Sequence, residues 1–192
     1  MEQVKALHRM LLTHPEHWGK VRLVLIGSIR NSRDAARREA VRQFAADRGL
    51  LAAGAVEIPE HVDAEQKKQL LRQASVGLHA MVDEHFGICV VEYMAAGAVP
   101  LAHNSAGPQM DIVVPALTRE DMAQHPEPEF LGGEAVGCLA NDEEDYAECL
   151  HMLLTRTELR HALSARARVK AAAFSKEAFS QQFLTAFAPY LQ

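Results

Sequence analysis

Between Val76 and Gly97 the sequence reads apolar strand, acidic loop, helix and glycine stop, and that order restricts the fold more than any other feature of the chain. Val76–Ala80 has the length and branched side chains of a short buried strand. Asp83-Glu84-His85-Phe86-Gly87 interrupts it, Gly87–Ala96 has helical length, and Gly97 supplies the stop. A second apolar run, Val99–His103, follows at once. Two strands joined through a helix need a crossover, so they lie parallel and bury both faces.

The same alternation extends in both directions. Upstream, Val4–Leu12 reads as the end of a helix and His14-Pro15-Glu16 as a loop. Val21–Gly27 is a continuous apolar run stopped by Gly27-Ser28, as in a central parallel strand, and the helix Asp34–Asp47 follows it. Ala55–Ile58 is a short strand broken by Pro59, and Asp63 stands as N-cap to a helix over Ala64–Gln73. Downstream, a turn at Asn104–Pro108 leads into a short helix toward Ile112. Pro115–Gly133 reads as a loop with a helical turn near Arg119–Ala123, Val136–Ala140 as a last strand, and Asp142–Leu154, Thr157–Ala173 and Lys176–Ala188 as three closing helices. The fold class is α/β: one Rossmann-like, doubly wound parallel sheet with helices on both faces, in a single domain over 1–192.

Composition removes several function classes. At 192 residues and 48% hydrophobic the chain can build one well-packed domain and not two large ones. A net charge of -5 argues against a nucleic-acid partner, which needs a basic face. The basic stretches Arg30–Arg42 and Arg156–Lys170 fall on amphipathic helices, where a solvated face explains them. No apolar run approaches the roughly 20 residues of a membrane span, and no signal peptide is visible at Met1. Cys89, Cys138 and Cys149 are odd in number and lack disulfide-type spacing, which suits reduced thiols in a cytosol-facing domain. Among ten histidines, His14-x-x-His17 lacks a third and fourth ligand, and His79 and His85 flank a loop without a zinc-type set. No metal is expected on that spacing. His79 and His103 fit a ligand pocket or a hydrogen-bonded core position equally well. No G-x-S-x-G elbow occurs, and Gly27-Ser28-Ile29-Arg30-Asn31 is not a dinucleotide fingerprint.

The chemistry concentrates at the loop before Gly87. A helix starting there offers unpaired N–H groups and a positive dipole end to a phosphate, and a glycine lets the ligand approach. Carboxylates beside a diphosphate would repel it, so Glu84 and Glu92 suit sugar hydroxyls instead, each accepting from a pair of neighbouring groups. That combination describes a nucleotide diphosphate sugar. A surface Glu84 and a solvent-facing helical Glu92 fit the spacing as well.

The E-x7-E spacing of Glu84 and Glu92, with Met94-Ala95-Ala96-Gly97 after it, resembles the signature of the retaining glycosyltransferases of the GT-B fold, group 1 (family 4). Gly77-Leu78-His79, Glu84-His85-Phe86-Gly87-Ile88, Leu101-Ala102-His103-Asn104-Ser105, Gly107-Pro108 and Asp111–Pro115 extend the resemblance, which runs from about Val21 to Phe183. It is strongest to members that transfer mannose from GDP-mannose to a dolichol-linked oligosaccharide. The resemblance implies that this chain is the C-terminal, donor-binding half of a two-domain enzyme. Glu84 would then serve as the catalytic residue, holding hydroxyls of the transferred sugar, and Glu92 the ribose diol. His85, Phe86, Gly87 and Ile88 would line the donor pocket. Gly27, Ser28 and Arg30 would lie near the diphosphate, Ile58 near the base through backbone groups, and Ser105 and Gly107 beside the sugar. For Arg30 plain solvent exposure, and for Gly27 a simple turn, fit as well. The family's phosphate-binding Arg and Lys belong to a segment ahead of the one seen here. The lipid-linked oligosaccharide acceptor and any membrane anchor would belong to an N-terminal domain, without which this chain is expected to be inactive. The full-length enzyme would work at the cytosolic face of the endoplasmic reticulum membrane, with no metal or cofactor besides its donor. Another donor, such as UDP-glucose, and a non-catalytic nucleotide-binding module remain alternatives. Two departures stand out. Ala106 replaces a family glycine, which is harmless if its φ is negative, and Cys89 falls where a small glycine is common. The sequence leaves open where the last helix packs and what the Pro115–Gly133 loop does.

Overall fold

The computed structural model describes residues 1–190. Five parallel strands carry the fold: β1 (Leu23–Val24), β2 (Val56–Glu57), β3 (Val76–His79), β4 (Val99–His103) and β5 (Cys138–Ala140). Eight helices surround them: α1 (Glu2–Thr13), α2 (Ser32–Asp47), α3 (Ala64–Gln73), α4 (Ile88–Ala96), α5 (Arg119–Gln124), α6 (Glu143–Thr155), α7 (Thr157–Ala172) and α8 (Lys176–Phe187). A short 3-10 turn, Pro15–His17, precedes β1, and a π-type turn, Pro108–Ile112, follows β4.

The local chemistry accounts for most helix starts. Asn31, Asp63, Thr118, Asp142 and Ser175 each accept a backbone N–H at the start of α2, α3, α5, α6 and α8, and Asp63 and Thr118 complete capping boxes with Gln66 and Asp121. Helix α4 differs. It begins on Gly87 with no side chain capping it.

The strands depart from expectation in one respect. They form two parallel ladders, β1-β2 and β3-β4-β5, and among the described residues no ladder joins β1 to β3. Of the apolar run Val21–Gly27 only Leu23 and Val24 pair, against Val56 and Glu57. A run is recognised by its hydrophobicity, whereas a ladder also needs a partner, and Pro59 closes β2 almost as soon as it starts. Both ladders still share one core. Leu23, Leu25, Val76 and Leu78 pack against the buried set that includes Val56, Val99, Leu101 and Cys138. The Pro115–Gly133 segment is also more ordered than a loop: α5 lies within it, and Leu117 bridges to Cys138 beside β5.

Three contacts fix the α4 unit. Gly77 on β3 faces the Tyr93 ring so closely that a Cβ there would collide with it. At the other end of α4, Ser164 Oγ donates to the Gly97 carbonyl at 2.6 Å and Arg168 Nη2 to the Ala96 carbonyl at 3.2 Å, so α7 satisfies carbonyls that the helix cannot. Beneath, Val90 and Met94 are fully buried in a second cluster with Ala102, Ile112 and Ala167.

Candidate active site

The acidic loop is held from three directions. Gly107 donates its N–H to the Glu84 carbonyl at 3.0 Å, and a Cβ on Gly107 would lie 2.5 Å from the carbonyl oxygens of His85 and Phe86. Only glycine permits that approach. Ser105 Oγ accepts the Asp83 N–H at 2.9 Å and meets His103 Nδ1 at 2.8 Å, so the end of β4 props the loop. Gly87 itself adopts φ 97°, a left-handed conformation that turns the chain into α4 and presents its uncapped first turn. Phe86 and Ile88 stay exposed at that turn, and Phe86 meets Phe174 edge-on at 5.7 Å.

Glu84 is half-buried beside His79. Its Oε2 lies 3.8 Å from His79 Nε2, the one buried side-chain polar atom among the described residues without a hydrogen-bond partner. The rest of that histidine is committed: Cys89 Sγ sits 3.3 Å from its Nδ1, and Tyr146 Oη donates to its carbonyl at 3.0 Å. Burial, and next the Glu84 charge, push the Cys89 thiol up, so it keeps its proton and donates to Nδ1. Burial likewise holds His79 below its ordinary value, with Glu84 opposing and His103 assisting. A neutral His79 accepting at Nδ1 carries its proton on Nε2, aimed at Glu84. Desolvation wins over the nearby carboxylate here because the ring is buried while Glu84 retains access to water.

Glu92, just over one turn into α4, is gripped by Lys67 of α3, whose Nζ lies 2.7 and 2.8 Å from its two oxygens. Both partners remain more than a third exposed, so the pair contributes about 0–1 kcal/mol to stability and is free to exchange partners. Lys67 also borders a cleft of about 410 Å³ that opens along Ile26–Ile29 and Glu60–Val62, at the C-terminal edge of β1 and β2. Brought together around the α4 start are therefore a carboxylate with a histidine behind it, open helix N–H groups, and a second carboxylate balanced by an ammonium.

A family model described as "Glycosyl transferases group 1" matches residues 2–170. The chain belongs to that family. Curated relatives of this group 1 transferase, named GDP-Man:Man(3)GlcNAc(2)-PP-Dol alpha-1,2-mannosyltransferase, include one from Homo sapiens, 38% identical over 182 residues and covering 94% of this chain. Another, from Dictyostelium discoideum, is 35% identical over 192 residues, covering 98%. The chain spans about a third of these relatives' lengths, 33% and 34%. Among solved structures, the C-terminal domain of a group 1 glycosyl transferase (LpcC) from Francisella tularensis superposes at TM-score 0.67 with 20% identity, over 90% of this chain and 76% of that one. The trehalose-6-phosphate synthase OtsA superposes at TM-score 0.72 with 18% identity, over 97% of this chain and 40% of that one. These likenesses establish the GT-B transferase fold.

Within this group 1 fold the expected site residues separate into two sets. Glu84, His85, Phe86, Gly87, Ile88 and Glu92 share the α4 start, and Ser105 and Gly107 reach it as struts of the loop. Gly27, Ser28, Arg30 and Ile58 line a separate hollow of about 240 Å³ around β1 and β2, beside the cleft that Lys67 borders. There Arg30, just ahead of the N-cap of α2, is tethered to Asp34 in that helix's first turn, through its backbone N and its Nε at 3.2 Å each, and its side chain is 79% exposed. The Ile58 carbonyl already accepts from Arg38 and Arg42 at 3.3 and 3.4 Å. Gly27 has open space around it and no left-handed φ, so the turn does not demand glycine. Ala106 carries a correction: its φ is 44°, positive, so the methyl is strained and not harmless. Sequence reasoning missed Lys67 and the role of His79 behind Glu84. Both act on partners far along the chain, and no local pattern marks them.

Proposed function

We propose that these residues form the donor-binding part of a retaining α-1,2-mannosyltransferase that takes mannose from GDP-mannose and extends a dolichol-linked oligosaccharide at the cytosolic face of the endoplasmic reticulum. The observation carrying this reading is the uncapped start of α4 at Gly87, flanked by Glu84 on one side and the Glu92–Lys67 pair on the other. The names of the curated relatives supply the sugar, the nucleotide and the acceptor. No helix among the described residues is long and apolar enough to cross a membrane. In this reading the acceptor binds on a surface beyond these residues.

The chemistry follows from charge. As the glycosidic bond to the diphosphate breaks, the ring gains oxocarbenium character and the leaving group gains negative charge. The open N–H groups of α4 meet that charge without reorganising, which favours the transition state over the ground state. Glu84, propped by Gly107 and faced by His79 Nε2, holds sugar hydroxyls. Glu92 accepts from the ribose diol while Lys67 keeps the local charge balanced against the diphosphate. Neither carboxylate acts as a glycosidase-type nucleophile in this scheme, since reaction proceeds on the front face of the sugar.

Two measurements test it. Calorimetric titration of the chain with GDP, GDP-mannose, UDP and UDP-glucose is expected to show the guanine nucleotides binding preferentially; preference for UDP would reassign the donor, and no binding of any nucleotide would reject a donor site. In the enzyme containing this chain, Glu84→Ala is expected to lower kcat by about 100-fold or more while nucleotide affinity changes much less. Wild-type turnover in that variant would remove Glu84 from the reaction.

A further inference from the structure

The edge of the fold away from the Glu84 loop holds a second cluster of chemically active side chains. His14 ends α1, Glu16 and His17 lie in the following 3-10 turn before β1, and Glu148 and His151 belong to α6. Strand β1 starts at this edge, and α6, which begins beyond the C-terminal end of β5, runs back to it. Among the described residues, His14, Glu16 and His151 are the one group of three that brings metal-type ligand atoms within 4.8 Å of one another.

We propose that His14, Glu16 and His151 bind a divalent transition-metal ion of the zinc class, clamping α1 and the turn after it to α6. Glu16 Oε1 lies 3.8 Å from His14 Nδ1 and 3.7 Å from His151 Nδ1. Zinc takes nitrogen at about 2.0–2.1 Å and carboxylate oxygen at about 2.0–2.2 Å in a tetrahedron, which puts ligand atoms about 3.3–3.5 Å apart. The two Glu16 spacings exceed that by a few tenths of an ångström, and all three ligand atoms lie within 4.8 Å of one another.

Two neighbours support the same assignment. His17 Nε2 is hydrogen-bonded to His151 Nδ1 at 3.0 Å, which stands it beside the group, and it would give up that hydrogen bond to serve as a fourth donor. Glu148 Oε1 is 3.1 Å from His14 Nε2, so the ring nitrogen turned away from the ion is held by a carboxylate. A carboxylate on the far nitrogen fixes the tautomer and makes the ligating nitrogen more basic, as around other metal-bound histidines. The His14 and His151 rings are stacked at 3.5 Å and 12°. Parallel rings cannot both direct their in-plane lone pairs at one ion, so binding turns one ring about its side chain. The two rings belong to His14, at the C-terminal end of α1, and to His151 of α6, and both residues are only partly buried.

The cluster lies at the opposite sheet edge from α4, so the ion would hold structure and take no part in sugar transfer. Calorimetry with zinc chloride on the whole chain near neutral pH tests this. One ion per chain at a Kd of about 1 μM or tighter is expected, with a melting temperature that rises on adding zinc. Glu148→Gln should weaken binding by about tenfold. Glu16→Gln should weaken it further and abolish the rise in melting temperature. Because Glu16 is 52% exposed, that variant keeps its fold. Cys89→Ser, which removes the half-buried thiol as a rival ligand, should bind as the unaltered chain does. Absence of zinc binding, binding undiminished in Glu16→Gln and His14→Ala, or binding lost in Cys89→Ser would overturn the proposal.

Discussion

Two residues at the site show how local strain and burial are set against function. Ala106 sits at φ 44°, where a side chain costs about 1–2 kcal/mol, and a glycine there would give back about 0.5–1 kcal/mol through its freer unfolded state. The strain term is larger, so Ala106→Gly is expected to stabilise the chain by about 0.5–1 kcal/mol, read from urea unfolding; a destabilised variant would show that the methyl packs against something worth keeping. His79 makes the opposite bargain, being buried with Nε2 unpartnered. Its folded value lies below 6.5 while the unfolded chain titrates near it, so between the two the unfolded state binds more protons. The stability His79 contributes is thus present above about pH 6.5 and lost as pH falls through the depressed folded value. His79→Gln should shrink the difference in unfolding free energy between about pH 7.5 and about pH 5.5. An unchanged difference would place the titration elsewhere.

The βα unit formed by β3 and α4 behaves as one piece. Gly77 lets Tyr93 lie against β3, α7 closes the far end of α4 through Ser164 and Arg168, and Tyr146 of α6 holds the last carbonyl of β3. A methyl at Gly77 has nowhere to go but into the Tyr93 ring. Gly77→Ala is therefore expected to cost about 1–3 kcal/mol and to weaken nucleotide binding by shifting the α4 start. Retention of full stability would mean that α4 moves off the sheet without loss, contrary to the packing described above. The order strand, acidic loop, helix and stop made this unit legible from sequence, because periodicity and caps are local. The hold of Gly107 on the backbone of His85 and Phe86 was not, since nothing local to Gly107 shows which backbone lies across from it.

At the scale of the molecule, the two sets of expected site residues stand on separate ladders, and one helix stands apart from the core. Phe179, Phe183, Phe187 and Tyr190 follow one another along α8 and the turn after it, all exposed, with ring centroids of successive pairs 4.4–6.3 Å apart. No residue of α8 is buried. Replacing Phe179, Phe183 and Phe187 together with serine should consequently change the unfolding free energy by less than about 0.5 kcal/mol per site while raising solubility. A large loss of stability would show that this face packs on the domain after all.

Sequence alone determined the class of fold, the order of nearly every helix and strand, and the loop that carries Glu84, because hydrophobic period, capping residues and glycine stops act within a few positions. It also carried the family. Tertiary structure alone decided that β1 and β2 form their own short ladder, that Lys67 pairs with Glu92, and that His79 stands behind Glu84. It also brought His151 to His14 and Glu16 across more than 130 positions of chain. Each of these depends on groups distant in sequence meeting through packing, and no pattern along the chain encodes which partner will arrive.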